Sequence, residues 1–273
     1  MDYIVIPTLG RIDKQITYQS LPEFLREKTV FVVQHHEFEK MSELYQNVMC
    51  LPKSITSISP TREWIFNKFK NYRFFVMDDD LRFHHKDPII DPSNGEHTGK
   101  WNVTYMDKDD WEACIGDCNY MMDHGYVHGG LIPTYAPPQY AAWPWRANQR
   151  VSTNVFFDGP NVPDGIEWTR LRFSSDFDAM LQLISAGYAN AGCTKYMAYP
   201  AATANSGGCD IERTIPIHNE ELRKLHEFFP NVTRLREKET LTGPWAGMKK
   251  LAITIYCKKA YELWEKGAAD VST

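Results

Sequence analysis

The 273-residue chain lacks any paired-cysteine motif. Its six cysteines (Cys50, Cys114, Cys118, Cys193, Cys209 and Cys257) are scattered, and none forms the CxxC spacing of a zinc knuckle or redox centre. Reduced, structural thiols are expected, which excludes a disulfide-stapled scaffold. Missing too is any apolar run near the ~20 residues that span a bilayer, and the opening DYIVIPTLGR has neither a basic region nor a small-residue cleavage site. A cytoplasmic protein without a membrane partner is the expectation. Positive charge is not in excess: 30 Lys and Arg stand against 35 Asp and Glu, a net charge of -5. That balance argues against a surface gripping nucleic acid everywhere but leaves room for one basic groove. The carboxyl-terminal third holds three candidates for such a groove, RKLHEFF, RLREK and MKK, each equally explained as a solvated helix face. No repeat or low-complexity tract is present. A hydrophobic content of 43% with 24% charged residues is ordinary for one large globular domain, or two modest ones sharing a core.

What the chain does have is alternation. YIVIPT, TVFVVQHH and YRFFVMDDD are short β-branched and aromatic runs, and between them LPEFLRE, FEKMSELYQNVM and SPTREWIFNKFKN carry apolar residues at helical spacing. In the last of these, Ser59 or Thr61 is a candidate cap and Pro60 suits a first turn. Such alternation predicts a parallel sheet, whose ligands lie beyond the carboxyl ends of the strands. PTLGR, QHHE and DDD are therefore the places to look. Farther on, residues 87–99 (DPIIDPSNGEHTG) read as a surface loop. DKDDWEACIGDCNYMMDHGY predicts a helix with Asp107 or Asp109 near its start, and HGGLIPTYAPPQYAAWPWRANQR an irregular, aromatic-rich segment. RVSTNVFFD predicts a strand, SSDFDAMLQLISAGY a helix ending at Gly187, and LAITIYCKKAYELWEK a closing strand or helix.

YRFFVMDDD raises a sharper question, because a run that should be buried ends in Asp78, Asp79 and Asp80. Strand alternation sends Asp78 and Asp80 to one side and Asp79 to the other. Hard oxygen donors at a sheet's ligand edge suit Mg²⁺ or Mn²⁺ shared with a substrate's phosphates. A turn cap with two solvated neighbours is the plainer alternative.

A first strand ending IPTLGR, a helix opened by SPTREW and an apolar strand closing in D-x-D resemble a GT-A nucleotide-sugar-dependent glycosyltransferase. SSDFDAMLQLISAGYAN and NSGGCDIERT are similar to the acidic motif and glycine-rich segment of the TET-associated glycosyltransferases, a largely phage-encoded group; the resemblance runs from Tyr3 to about Arg213. It implies an α/β fold of GT-A type. A Rossmann-like nucleotide-binding half with a mostly parallel central sheet, residues 1–86, would continue into an irregular acceptor-binding and catalytic half, residues 87–273. It implies a metal-dependent enzyme moving a sugar from a nucleotide-sugar donor, a UDP-sugar foremost, to the hydroxyl of 5-hydroxymethylpyrimidine in DNA. Mn²⁺ or Mg²⁺ would be the cofactor, and no obligate protein partner is implied. By position, Asp80 would hold the metal bridging the donor's diphosphate and Asp78 would contact the ribose or a metal-bound water, with Asp79 beside them in the donor pocket. Thr8 and Arg11 would line the nucleotide pocket, although Arg11 could equally be a solvated loop residue. Arg62, near a helix amino terminus, would meet the base or phosphate, and His35, His36 and Glu37 end the second strand, where such folds contact the base.

Removing the acceptor's proton requires a carboxylate within hydrogen-bond reach. The family's acidic pair matches at Asp176, with Ser175 where many relatives carry another acid, so the base is Asp176 or Asp178; N-capping by Ser174 or Asp176 is the alternative. Gly207 and Gly208 would let backbone approach a sugar or phosphate, or simply form a turn. Arg213 would neutralise charge on the leaving diphosphate, and His218 would be a further metal ligand or a structural histidine. Trp143, Trp145 and Trp245 are core residues or stacking platforms for a sugar or displaced base. A single displacement would invert the anomeric centre, with retention left open. The rival functions are transfer to a protein, lipid or saccharide, nucleotidyl transfer, and non-catalytic binding. For nucleotidyl transfer, PTLGRIDK is a poor version of the glycine-rich basic loop that holds a triphosphate.

Overall fold

The computed structural model describes residues 1–132, 144–200, 213–241 and 245–267. The amino-terminal part alternates as expected: β1 (Tyr3–Thr8), α1 (Ile16–Ser20), α2 (Glu23–Arg26), β2 (Thr29–Val33), α3 (Phe38–Leu44), β3 (Val48–Cys50), α4 (Ile58–Phe69) and β4 (Arg73–Met77). β2 is buried along its whole length, which is why it is an unbroken apolar run and not an alternating one. A long hairpin, β5 (Leu81–Ile90) and β6 (His97–Tyr105), leads into α5 (Lys108–Asp123). Then follow β7 (His128–Leu131), β8 (Trp145–Ala147), β9 (Asn154–Asp158), α6 (Ser175–Ser185), β10 (Asn190–Cys193), β11 (Tyr196–Pro200), α7 (Ile215–Phe228), β12 (Thr233–Glu239), β13 (Lys249–Ile255) and α8 (Cys257–Glu265).

The central sheet has the strand order β3-β2-β1-β4-β9-β7-β10-β8. β3, β2, β1 and β4 run parallel, as do β7 and β10; β9 lies antiparallel between β4 and β7, and β8 antiparallel at the edge. The α/β class and the mostly parallel sheet are those the resemblance implied. The chain moves outward from β1 through β2 to β3, then returns to place β4 on the other side of β1. Where strand order reverses, the connections leave in opposite directions and a crevice opens beyond the carboxyl ends. Thr8 ends β1 there and Asp78 follows β4.

Alternation along β4 sends Phe74 to one face and Phe75 to the other. Phe75 joins Ile4, Ile6, Met77, Trp111 and Cys114 in a core that includes α5. Phe74 joins Val5, Phe66, Phe69, Phe157 and Leu183 against α4 and α6. Both phenylalanines are fully buried, so truncating either to alanine costs about 3–5 kcal/mol. A third core ties α6, α7 and α8 to the β12–β13 ribbon through Leu181, Ile184, Leu222, Leu225, Ile253 and Ala260. Gly187 ends α6 with φ 93, and a Cβ there would meet the Trp264 ring at 2.3 Å, so both conformation and space demand glycine.

Several local expectations give way. Residues 87–99 are not a loop but the outer part of the β5–β6 hairpin. Pro88 lies at a register shift and Asn94-Gly95 at the turn, so these breakers mark a bulge and a hairpin end. Val48 and Met49 leave the predicted helix and pair with β2 as an edge strand. The N-cap of α4 is Ser57; Ser59 Oγ donates to the carbonyls of Leu171 and Arg172, and Thr61 Oγ1 to that of Ser57. Short strands β7 and β8 occupy parts of the segment expected to be irregular, and LAITIYCKKAYELWEK is strand and then helix. Asp107 does cap α5, in a reciprocal capping box with Asp110. Trp143, Gly207, Gly208 and Cys209 lie outside the described residues. The other five cysteines are free thiols, and among the described residues no helix is long and apolar enough to cross a membrane.

Candidate active site

The crevice beyond β1 and β4 is a chamber of ≈ 690 Å³, a size typical of small-ligand sites. Thr8, Arg11, Arg62, Asp78, Asp79, Asp80, Asp176, Arg213 and His218 all line it. Because β4 ends at Met77, the three acids occupy the turn, and strand alternation no longer dictates where they point. Asp79 is buried: its Oδ2 accepts from Thr8 Oγ1 at 2.6 Å and its Oδ1 pairs with Arg11 Nη1 at 2.5 Å. Gln15 Nε2 donates in turn to Thr8 Oγ1 at 2.9 Å. Asp80 Oδ2 shares the same Arg11 nitrogen at 3.2 Å, while Asp78 turns to Arg62, 3.9 Å away. With 9% of its side chain exposed, Arg11 is not a solvated loop residue. Both oxygens of Asp79 are engaged by protein, so Asp79 braces the corner.

Burial pushes the Asp78 carboxyl up to about 7; Arg62 opposes this, and the negative charges of Asp176, Asp80 and Asp79 add to it. Even so, 33% of the side-chain surface opens on the chamber. Among the described residues no three His, Cys, Asp or Glu side chains converge as a protein-only metal centre requires. The donors at Asp78 and Asp80 fit instead a hard divalent cation held by one or two carboxylates together with phosphate oxygens and water.

Asp176 lies in the first turn of α6, 3.6 Å from Arg62 Nη1, and the same nitrogen donates to Ser175 Oγ at 3.1 Å. Arg62 therefore stands between Asp78 and Asp176 and fixes one carboxylate relative to the other. The α6 N-cap, Ser174, makes no side-chain cap hydrogen bond. Asp178 is elsewhere. Residues two apart on a helix face away from each other, and Asp178 is fully buried, gripped by Arg170 at 2.5 and 3.1 Å, and absent from the chamber lining. Geometry thus separates the two acids between which the sequence left the base open.

Arg213 stands over the Phe173 ring at 5.2 Å. His218 Nε2 meets the Leu251 carbonyl at 3.0 Å. Burial lowers its pKa, the bond to Leu251 opposes this, and the charges of Lys250 and Arg213 lower it further. These are the surroundings of a neutral histidine tying α7 to β13. Glu37 is buried and accepts from the Gly10 amide at 2.7 Å, while His35 and His36 are exposed and do not line the chamber. Trp145 is a core residue whose Nε1 donates to Asp117 at 3.1 Å; Trp245 lies against His218 and under Lys250.

Three contributors carried no usable signal in the sequence. Arg150 lines the chamber and covers the Phe177 ring at 4.3 Å; burial lowers its pKa and Asp176 raises it. Glu221, buried on α7, accepts the amides of Arg172, Phe173 and Ser174 at 3.0, 2.9 and 3.4 Å, holding the loop that delivers α6. Thr153 adopts φ 55, an outlier for a β-branched residue, and its carbonyl accepts the Asp78 amide at 2.7 Å. Strain of about 1–3 kcal/mol is thereby stored beside the acids. Behind them lies a second cavity of ≈ 40 Å³, lined by Asp78, Asp176, Arg62, His128 and apolar residues of α4, α6 and the sheet. His128 is fully buried, neither ring nitrogen has a partner among the described residues, and burial pulls its pKa down to about 3.

The TET-Associated Glycosyltransferase family model matches residues 3–109. The chain is 22% identical over 292 residues to the beta-glucosyl-HMC-alpha-glucosyl-transferase of Enterobacteria phage T6, covering 97% of this chain and 96% of that protein. It is 23% identical over 261 residues to the protein of the same name from Enterobacteria phage T2, covering 86% of each. Among solved structures, S. aureus TarS 1-349 aligns with a TM-score of 0.41 at 10% identity, over 84% of this chain and 73% of that one.

Proposed function

We propose, from the premise that this chain is a glycosyltransferase related to the TET-associated glycosyltransferases, that it moves a sugar from a UDP-linked donor onto hydroxymethylpyrimidine-bearing DNA. One observation carries this: Asp78, Asp80 and Asp176 face a single chamber, with Arg62 between the first and last and with Arg150 and Arg213 on the lining. When the sugar is transferred its bond to the nucleoside diphosphate breaks, so the site must meet growing negative charge on that leaving group at one end and take the acceptor's proton at the other. Asp80 and Asp78 would hold Mn²⁺ or Mg²⁺, which when bound neutralises the departing diphosphate. Arg213 adds fixed positive charge to the same end. Arg11, Thr8 and Asp79 hold the corner rigid, so its charges need not reorganise during reaction. Asp176 takes the proton of the acceptor hydroxyl, aimed by Arg62. One displacement would invert the anomeric carbon and turn an α-linked donor into a β-linked product, whereas the alpha-glucosyl product in the T6 and T2 relatives' names requires retention from such a donor.

The printed names of the T6 and T2 relatives specify glucosyl transfer onto glucosylated HMC. They support hydroxymethylcytosine DNA as the substrate class, the receiving hydroxyl being the base's own or that of a glucose already attached. Duplexes of both kinds, incubated with Mn²⁺ and a panel of nucleotide sugars and digested to nucleosides, test this by mass spectrometry. A metal-dependent gain of one sugar is expected. No gain on either duplex, with transfer to a saccharide or protein acceptor instead, overturns the DNA assignment. The product's anomeric configuration, compared with the donor's by NMR, tests the displacement. Retention would reassign Asp176 from base to stabiliser of the positive anomeric carbon.

A further inference from the structure

Two of the basic runs in the carboxyl-terminal third become a single surface. RLREK lies in β12 and the two lysines of MKK open β13; these strands pair with Arg234 opposite Thr254, Arg236 opposite Ala252 and Lys238 opposite Lys250. Directly opposed residues share a face and successive residues alternate. One face therefore carries Arg234, Arg236, Lys238 and Lys250 with no acid. Glu237 and Glu239 fall on the other face with Leu235, Leu251 and Ile253, residues of the third core. Arg236, Lys238, Lys250 and Ala252 all line the chamber, whereas Arg234 is exposed and outside that lining. The cationic row thus runs out of the chamber along the ribbon.

None of these four cations pairs with an acid among the described residues. By contrast RKLHEFF, the third basic run, lies on α7, where Lys224 pairs with Glu220 at 2.8 Å and Leu225 is buried in the third core. Two lysines placed directly opposite repel each other. Burial and then the charges of Lys238 and Arg213 lower the Lys250 pKa. A fold that carries such repulsion is relieved by an anion.

We propose that the Arg234, Arg236, Lys238 and Lys250 face of the β12–β13 ribbon is the track for the sugar–phosphate backbone of the DNA acceptor, delivering a modified base toward Asp176. This rests on the DNA reading of the same chamber. A small diphosphate donor does not account for the row: Arg150 and Arg213 already line the chamber, and Arg234 lies beyond the lining. Cations at alternate strand positions, about 6.6 Å apart, suit successive phosphates of a linear polyanion. On a chain of net charge -5, a row of cations with no acid on its face is a local attraction for such a polymer.

The test replaces Arg234, Arg236, Lys238 and Lys250 by glutamine together, and separately in the pairs R234Q/R236Q and K238Q/K250Q, with R234K/R236K as the charge-retaining control. Binding of a hydroxymethylated duplex is followed across a salt series, transfer kinetics across DNA concentration, and donor binding by calorimetry without DNA. Losing four phosphate contacts should lower the salt slope by about 3–4. KM for DNA should rise at least tenfold, far more than kcat or donor affinity changes; each pair should give about half the slope change, and R234K/R236K almost none. An unchanged salt slope and KM, or a donor affinity that falls as far as the DNA affinity, overturns the inference. In the wild-type protein, DNA should also protect the backbone amides of residues 233–239 from hydrogen exchange, a readout that needs no variant, and absence of protection counts against the track. A wild-type enzyme that glycosylates no DNA refutes the function itself, whereas one that glycosylates DNA with ribbon variants fully active refutes only the track.

Discussion

The acid corner and the basic ribbon share one chamber and are built on opposite principles. The corner's three acids are adjacent in sequence, and its charges and that of Asp176 are answered inside the protein by distant residues: Asp79 by Arg11 and Thr8, Asp176 by Arg62. The ribbon's charges come from two strands and are answered by no acid among the described residues. Charges matched within the fold belong to folding as well as to function. Charges left unmatched on a surface can be removed with little cost to the fold, because their partner arrives from outside.

That contrast breaks most visibly at Asp79. Asp79→Ala leaves Arg11 with a buried, half-compensated charge and should cost about 3–5 kcal/mol in urea unfolding, whereas the exposed Arg234→Gln should stay within about 0.5 kcal/mol. Equal losses at the two sites would erase the distinction. Next comes Asp176→Asn, expected to slow sugar transfer by about 10²–10⁴-fold and to cost less stability than Asp79→Ala, because Arg62 keeps Asp78 as a partner.

A smaller effect comes from the cavity behind the corner. His128, which faces Asp78, Asp176 and Arg62 there, has its folded pKa pulled down to about 3 from 6.5. The unfolded chain therefore takes up a proton that the folded chain refuses. The neutral ring costs nothing above the unfolded pKa, and the His128 contribution to stability falls by about 1.4 kcal/mol per unit as pH drops from 6.5 toward 3, opposed by Asp78, whose carboxyl pushed up to about 7 contributes with the opposite sign. His128→Leu should therefore gain on the wild type as pH falls through this range, and a stability difference that does not change with pH would contradict a neutral buried ring. Smallest is Thr153→Gly, which relieves a left-handed backbone next to Asp78 and should raise stability by about 1 kcal/mol; destabilisation would mean that packing of the threonine outweighs its strain.

Legibility in the sequence followed the range of the forces involved. β1, β2 and β4 and helices α4, α5 and α6 were readable because local apolar spacing sets them, and the acids at the end of β4 were readable because a buried run must stop somewhere. The β5–β6 hairpin was missed because Pro88 and Asn94-Gly95 look alike in a loop and in a bulged ribbon. Val48 and Met49 extend a helical pattern and were claimed by β2 through strand pairing that no local pattern encodes. Asp176 and Asp178 were indistinguishable until Arg170, eight residues before Asp178, was seen to bind the latter. RLREK and MKK looked like separate solvated faces until pairing across the ribbon put their cations side by side. Arg150 and Glu221 act only through tertiary neighbours, so nothing short-range marked them.

The most direct measurement is nucleoside mass spectrometry after hydroxymethylcytosine DNA, glucosylated and bare, is incubated with Mn²⁺, the donor panel and either wild-type protein or Asp176→Asn. Sugar-bearing nucleoside from the wild type, and about a hundredth as much or less from a folded Asp176→Asn, is the predicted result. Equal yields from the two proteins would contradict the assignment of proton transfer to the carboxylate that Arg62 holds beside Asp78.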